Sequence, residues 1–180
     1  VSKQYIICSV NPAGVYLVNT ITKEIKLINT DEKGTPLKGC MTIKRDNADS
    51  LLLLTVNGIY RFNRGKQRFS LLPGSGEKDE VVYRDLLQDD DGNYWIGTLH
   101  KGLLLYDPVK NRFFQPKDTL INHLNTVTGF AYDRGSGNMV IATYGEGVFV
   151  HHMLTGKSTW YYPVNNAPSY LNIMLINSVS

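Results

Sequence analysis

Residues 89–115 read DDDGNYWIGTLHKGLLLYDPVKNRFFQ, and the punctuation of this stretch decides the fold. Residues 89–93 form a tight turn, because Gly92 and Asn93 tolerate backbone angles that other residues resist. Residues 94–98 make a short apolar strand, 99–102 turn the chain, and 103–106 make the next strand. Asp107-Pro108-Val109-Lys110-Asn111 turns it again into residues 112–115, and residues 81–87 supply a strand ahead of the first turn. Four short antiparallel strands follow one another with no helical periodicity.

The pattern recurs along the chain. Gly14, Gly58, Gly102 and Gly147 each precede an apolar strand, GVYLVN, GIYRFN, GLLLYD and GVFVHH, at spacings of 44, 44 and 45. Asn19, Asn63, Asp107 and His152, five residues further on, open the next turn at the same period. A matching strand lies upstream of each glycine: IICSV, LLLLT, WIGT and VIAT. Self-similarity of roughly 40–50 residues with four strands per unit is the signature of β-propeller blades. The expected fold is all-β, with about four such blades in one region spanning residues 1–180.

Composition fits an ordinary water-soluble sheet protein: 42% hydrophobic, 19% charged, and rich in Tyr and Gly. A net charge of +3, with Lys and Arg scattered, argues against nucleic acid as a partner. No apolar run approaches the ~18 residues that a membrane helix needs, so no membrane contact is expected of this segment. Cys8 and Cys40 read as two unpaired apolar residues; Cys8 aligns with Ile96 and Ile141 and is expected to be buried.

Taken in order, the first blade has strands at 4–10, 15–19 and 24–28 and lacks its innermost strand. The second has strands at 40–45, 51–55, 59–62 and 67–71, the third is the stretch quoted above, and the fourth has 127–132, 139–143, 148–152 and 157–162. Residues 170–177 read as one further inner strand. It either completes the first sheet and closes a four-bladed ring, or the chain is cut from a longer array. An open arc exposes apolar faces and strand edges, so other blades or a second copy of the chain should cover them.

The central stretch resembles the repeat of two-component regulator propellers, D-x-x-G-x-[LYI]-W-[IV]-G-T, then G-[LI] and Y/F-[DN]. Asp89, Gly92, Trp95, Ile96, Gly97, Thr98, Gly102, Leu103, Tyr106 and Asp107 match it nearly in full. The fourth blade has Val140 for the Trp, Ala142 for the second Gly and His152 for the Asp. The second keeps Thr55, Gly58, Ile59 and Asn63; the first keeps Gly14, Val15 and Asn19 but has Cys8-Ser9-Val10 for Ile-Gly-Thr. The resemblance implies the periplasmic sensor region of a hybrid histidine kinase of the Bacteroides type. There such repeats build paired seven-bladed propellers that respond to oligosaccharides, and four blades would be a fragment of that array. It further implies an inner-membrane parent protein, a homodimer at full length, and no enzymatic activity or cofactor in this segment. Two alternatives stay open: a propeller lyase of the streptogramin-lyase type, with a Mg²⁺ site fed by His and Glu, and an interaction scaffold.

Candidate chemistry is sparse. Asp89-Asp90-Asp91-Gly92-Asn93 hints at a calcium loop, but the twelfth residue from Asp89 is His100, not the Glu that an EF-hand needs. A hairpin turn bonding its own backbone is the better reading. Trp95 sits at the repeat position of Ile7, Leu51 and Val140, which favours packing between blades over sugar stacking. Trp160-Tyr161-Tyr162 reads as a strand edge packed on a loop. His100, His123, His151 and His152 have no nucleophile or base partner at a recognisable spacing, and no Gly-x-Ser-x-Gly elbow is present. In a four-stranded meander, the loop between strands two and three and the loop between blades share one face. That face carries the long segments 29–38, 73–80, 116–123 and 163–169, and function rides on such loops. The short loops there offer Asn11, Asn57, His100, Lys101, Tyr144 and Glu146, a polar and aromatic set suited to sugar hydroxyls and ring faces.

Overall fold

The computed structural model describes residues 5–48, 50–76 and 81–162. Their strands are β1 (Tyr5–Val10), β2 (Gly14–Asn19), β3 (Ile25–Ile28), β4 (Thr42–Arg45), β5 (Leu51–Leu54), β6 (Ile59–Asn63), β7 (Arg68–Leu71) and β8 (Val82–Gln88). They continue with β9 (Tyr94–Leu99), β10 (Leu103–Asp107), β11 (Arg112–Phe114), β12 (Val127–Asp133), β13 (Asn138–Thr143), β14 (Val148–His152) and β15 (Lys157–Tyr161). No helix occurs among the described residues. Each sheet is an antiparallel meander: β1-β2-β3, then β4 to β7, β8 to β11 and β12 to β15. The strands expected from the repeat are all found within a residue or two of their places. The strand expected at 170–177 and the loop at 163–169 lie outside the described residues.

The period is written into the turns. Between the first two strands of a blade, an aspartate carboxylate accepts a backbone N–H of its own turn. Asp46 accepts from Ser50 at 2.7 Å, Asp89 from Asn93 at 2.8 Å and Asp133 from Gly135 at 3.0 Å. Between the next two strands, Thr55, Thr98 and Thr143 donate their hydroxyls to the carbonyls of Gly58, Gly102 and Gly147 at 2.7, 2.8 and 2.6 Å. The outer turn opens on Asn19, Asn63, Asp107 or His152, each of which accepts backbone N–H groups two or three residues ahead. Within that turn Lys23, Gln67, Asn111 and Gly156 have φ of 63°, 47°, 52° and 66°, a left-handed residue at the repeat spacing. The polar signature of the repeat is thus turn chemistry.

The chain forms two compact units, Val1–Tyr83 and Arg84–Ser180. In the first, Val15, Leu17, Ile28, Leu37, Cys40, Leu51, Leu53, Tyr60, Phe62 and Phe69 make a core, with Tyr5, Ile7 and Ile43 packed against it. All four leucines of β5 are buried, so this strand is covered on both faces and shows no alternation. In the second unit, Trp95, Leu103, Leu105, Ile121, Leu124, Val127, Phe130, Met139, Ile141 and Phe149 make the core between the third and fourth sheets. The approach is close at Gly97, where a Cβ would lie 2.8 Å from the Val127 carbonyl. Asp85 of β8 reaches across, its carboxylate accepting the Phe130 N–H at 2.9 Å.

The first sheet departs from expectation at Cys8, which is exposed, not buried. The register places Ile7 opposite Leu17 and Ser9 opposite Val15 on the face that meets the core. Ile6, Cys8 and Val10 share the other face with Tyr16, Val18, Ile25 and Leu27. Ile6 is 52% exposed, Val10 43%, Ile25 65% and Leu27 44%, because nothing among the described residues covers that face. Ile96, the counterpart of Cys8 in the third sheet, is fully buried.

Candidate functional site

Four of the six loop residues fall in the second unit and are tied through one backbone segment. The β9–β10 loop is closed by the Thr98 hydroxyl, which bonds the Gly102 carbonyl and also accepts the Lys101 N–H at 3.2 Å. His100 and Lys101 stand exposed at its tip, His100 with φ of 70°. Gly102 donates its N–H to the Asn125 carbonyl at 2.8 Å, and a Cβ on Gly102 would meet the Leu124 carbonyl at 1.8 Å, so this contact requires glycine. Asn125 in turn donates its own N–H to the Glu146 carboxylate at 3.1 Å. Tyr144, 57% exposed, donates its N–H to the Thr126 carbonyl at 3.0 Å. The 124–126 segment thus holds the β9–β10 and β13–β14 loops side by side, with an imidazole, an ammonium, a phenol and a carboxylate on them.

Asn11 and Asn57 lie in the first unit. Asn11 is exposed in the β1–β2 turn. Asn57 is half-buried and engaged: its backbone N–H donates to the Thr55 hydroxyl oxygen at 3.1 Å and its amide nitrogen donates to the Pro36 carbonyl at 3.3 Å. It braces the 29–38 loop.

Trp160 escaped the sequence reading as a neighbour of this site. Its indole N–H donates to the Glu146 carbonyl at 2.7 Å. Its ring stacks on Phe149 at 6.0 Å and meets Tyr162 at 5.2 Å. The packing of this edge on a loop was legible, but not that the loop is the one carrying Glu146. With Trp160 50% exposed and Tyr162 56%, aromatic surface adjoins the polar groups.

Trp95 is buried, its indole N–H donating to the Asp89 carboxylate at 2.9 Å and its ring 5.1 Å from that of His151. Asp89 is therefore a clamp for its own turn and for Trp95. Burial, foremost, pushes its carboxyl up from the ordinary carboxylate range, against the pull of the Trp95 and Asn93 donors. His151 is also buried, its Nδ1 2.8 Å from the Ser158 hydroxyl and 3.8 Å from the Asp118 carboxylate. Burial pushes the imidazole down from its usual 6.5, with Asp118 opposing and His152 reinforcing. Ser158 and Asp118 crowd the same ring nitrogen, so this trio is packing and not a nucleophile–base relay. No cluster of three metal-ligating side chains occurs among the described residues.

The meanders, their period and their turn chemistry define an all-β protein of β-propeller blades. Residues 76–100 match the family model for the two component regulator propeller, the repeat that the motif of the third blade resembles. No curated protein matches the chain. Among solved structures, the extracellular domain of the putative one component system BT4673 of B. thetaiotaomicron aligns with 99% of the chain at a TM-score of 0.80 and 20% identity. A second structure of that domain carries the description of a hybrid two component system. The extracellular domain of the putative hybrid two component system BT3049 from the same organism aligns with 92% of the chain, at a TM-score of 0.51 and 15% identity. The computationally designed protein Ika8 aligns with 88% of it, at 0.60 and 13%. The chain spans 24% of the first BT4673 structure, 28% of BT3049 and 46% of Ika8. At these identities the likeness establishes the propeller fold.

Proposed function

We propose that this chain is a ligand-sensing propeller segment of a hybrid two-component sensor, lying in the periplasm on an inner-membrane protein and responding to an oligosaccharide. The observation that carries the reading is the two component regulator propeller match at residues 76–100. The segment performs no catalysis; a ligand biases the packing of blades or of subunits in a full-length homodimer, and the kinase reads that bias. Ligand contact is assigned to His100, Lys101, Tyr144 and Glu146, with Asn11 and Asn57 on the corresponding loops of the first unit. Carboxylate, ammonium and imidazole groups suit sugar hydroxyls, and the phenol suits the C–H face of a sugar ring.

Two measurements test this. The parent gene should encode a transmembrane helix and a histidine-kinase core; a gene without them overturns the sensor reading. In the full-length sensor, calorimetry with neutral oligosaccharides should show affinity lost on replacing His100, Lys101, Tyr144 and Glu146 by Ala. Unchanged affinity in all four variants places the ligand elsewhere.

A further inference from the structure

In the first unit, a cavity of about 430 Å³ opens beside the outer turn of the first blade. That size falls within the range of roughly 300–1,000 Å³ typical of small-molecule clefts. Its wall combines the buried Leu17, the half-buried Tyr5 and the exposed Ile25. The polar lining comes from two turns 48 residues apart, Asn19, Glu24 and Lys26 on one side and Gln67 on the other.

The hydrogen bonds of these side chains determine what they offer. The Asn19 side-chain oxygen accepts the N–H groups of Ile21 and Thr22 at 2.9 and 3.1 Å. The Gln67 side-chain oxygen accepts the Lys26 ammonium at 3.1 Å. An NH₂ cannot accept, so both amides are fixed in orientation, and each keeps its NH₂ as a donor with no partner among the described residues. The Glu24 carboxylate has no partner there either. The cavity therefore presents two amide donors, an ammonium and one carboxylate acceptor around an apolar and aromatic wall.

We infer that this cavity is a sugar-ring subsite, lined by residues of the first unit alone. A ring hydroxyl both donates and accepts, so it can satisfy Glu24 and the amide donors together, while the C–H face of the ring lies on Tyr5 and Leu17. Glu24 and Lys26 offset each other in charge, so the lining holds no net charge to favour a phosphate, and a purely apolar ligand would strip water from both without replacing it. The inference rests on the oligosaccharide reading above and adds a location that the turn chemistry of the repeat does not require. At the Glu24 position the other blades have Arg68, Arg112 and Lys157, so the carboxylate of this set has no counterpart in them.

The test uses the full-length sensor and two- to six-unit oligosaccharides of glucose, mannose, galactose and xylose, with free amino acids as a control. Glu24→Gln, Gln67→Ala and Tyr5→Ala should each weaken the calorimetric affinity for a binding saccharide at least tenfold. The same saccharide should protect Lys26, but not Lys110, from acetylation read by mass spectrometry. This footprint is taken on the unmutated protein and does not depend on how the variants fold. Unchanged affinity in all three variants with Lys26 unprotected overturns the subsite. If His100→Ala and Tyr144→Ala abolish binding in that case, the sensor reading stands without it. Capture of a free amino acid in place of any saccharide overturns the sugar assignment, and absence of any saccharide binding overturns both readings together.

Discussion

The third sheet and the first follow one repeat, yet they differ in how completely the turn chemistry is filled in. In the third, Asp89 clamps its turn and Trp95, Thr98 locks the β9–β10 loop, and five of the six residues of β9 are buried. In the first, Val10 stands where the threonine would be, Ile7 where the tryptophan would be, and β1 alternates half-buried with exposed. The glycine before the next strand, Gly14 or Gly102, and the outer turn on Asn19 or Asp107 are common to both. The comparison separates two jobs of the repeat: the Asp, Trp and Thr fasten the turns at the two ends of a blade's second strand, whereas the Gly and the outer-turn Asn or Asp make it a meander. A sheet can lose the first set and keep its topology.

The largest expected effect comes from removing the clamp. Trp95→Ala should cost about 3–5 kcal/mol, the range for emptying a buried aromatic site. It also leaves the Asp89 carboxyl, already pushed up by burial, without its indole donor. Ile7→Ala, at the same repeat position but half-buried, should cost about 1 kcal/mol because solvent already reaches the site. Chemical denaturation of both variants checks the contrast, and equal losses would break it.

Thr98→Val should cost about 1–2 kcal/mol, since it deletes a buried hydroxyl bond to Gly102 and the acceptor for the Lys101 N–H. Because Gly102 also holds Asn125, and Asn125 holds Glu146, the same change should loosen the candidate site. Calorimetry on this variant should therefore show weaker ligand binding even though no contact residue has changed. The reciprocal Val10→Thr change should not destabilise, as the position is 43% exposed and already next to a glycine turn.

These contrasts also mark what could be read in the sequence. The strands, turns and period were legible because every turn type carries its own residue at fixed spacing. The burial of Trp95 was legible from its repeat position. The exposure of Cys8 was not, because alignment with Ile96 gives the direction of a side chain and says nothing of what lies over it. The link from Gly102 through Asn125 to Glu146 runs through backbone groups, which leave no mark in residue types. The cavity at Asn19 and Gln67 was hidden for another reason: both residues already had a full explanation as turn formers.

Acidification should act through His151. Burial lowers its folded-state pKa below the 6.5 expected of an unfolded chain, with Asp118 opposing and His152 adding to the fall. The unfolded chain therefore takes up the proton first. Stability is complete above pH 6.5 and declines as pH falls below it, until the folded-state imidazole itself becomes protonated. Thermal melts between pH 8 and 5 should show this decline, and His151→Gln should flatten it. A slope that survives the substitution would assign the effect to other groups.

The smallest effect concerns the left-handed residue of the outer turn. Asn111 holds it in the third sheet and Lys23 in the first, at φ of 52° and 63°. Asparagine tolerates this region better than residues with longer side chains, and glycine best of all. Lys23→Gly should therefore stabilise by about 0.5–1 kcal/mol, as the relieved strain outweighs the added freedom of the unfolded chain. Asn111→Gly should gain less, because the strain there is smaller and the Asn111 side chain accepts the Tyr106 hydroxyl at 3.1 Å. Denaturant midpoints of the two variants decide the point. A gain at Asn111 equal to or larger than that at Lys23 would mean that the first sheet's outer turn is as well adapted as the third's, and that the two sheets differ only in the clamp and the threonine lock.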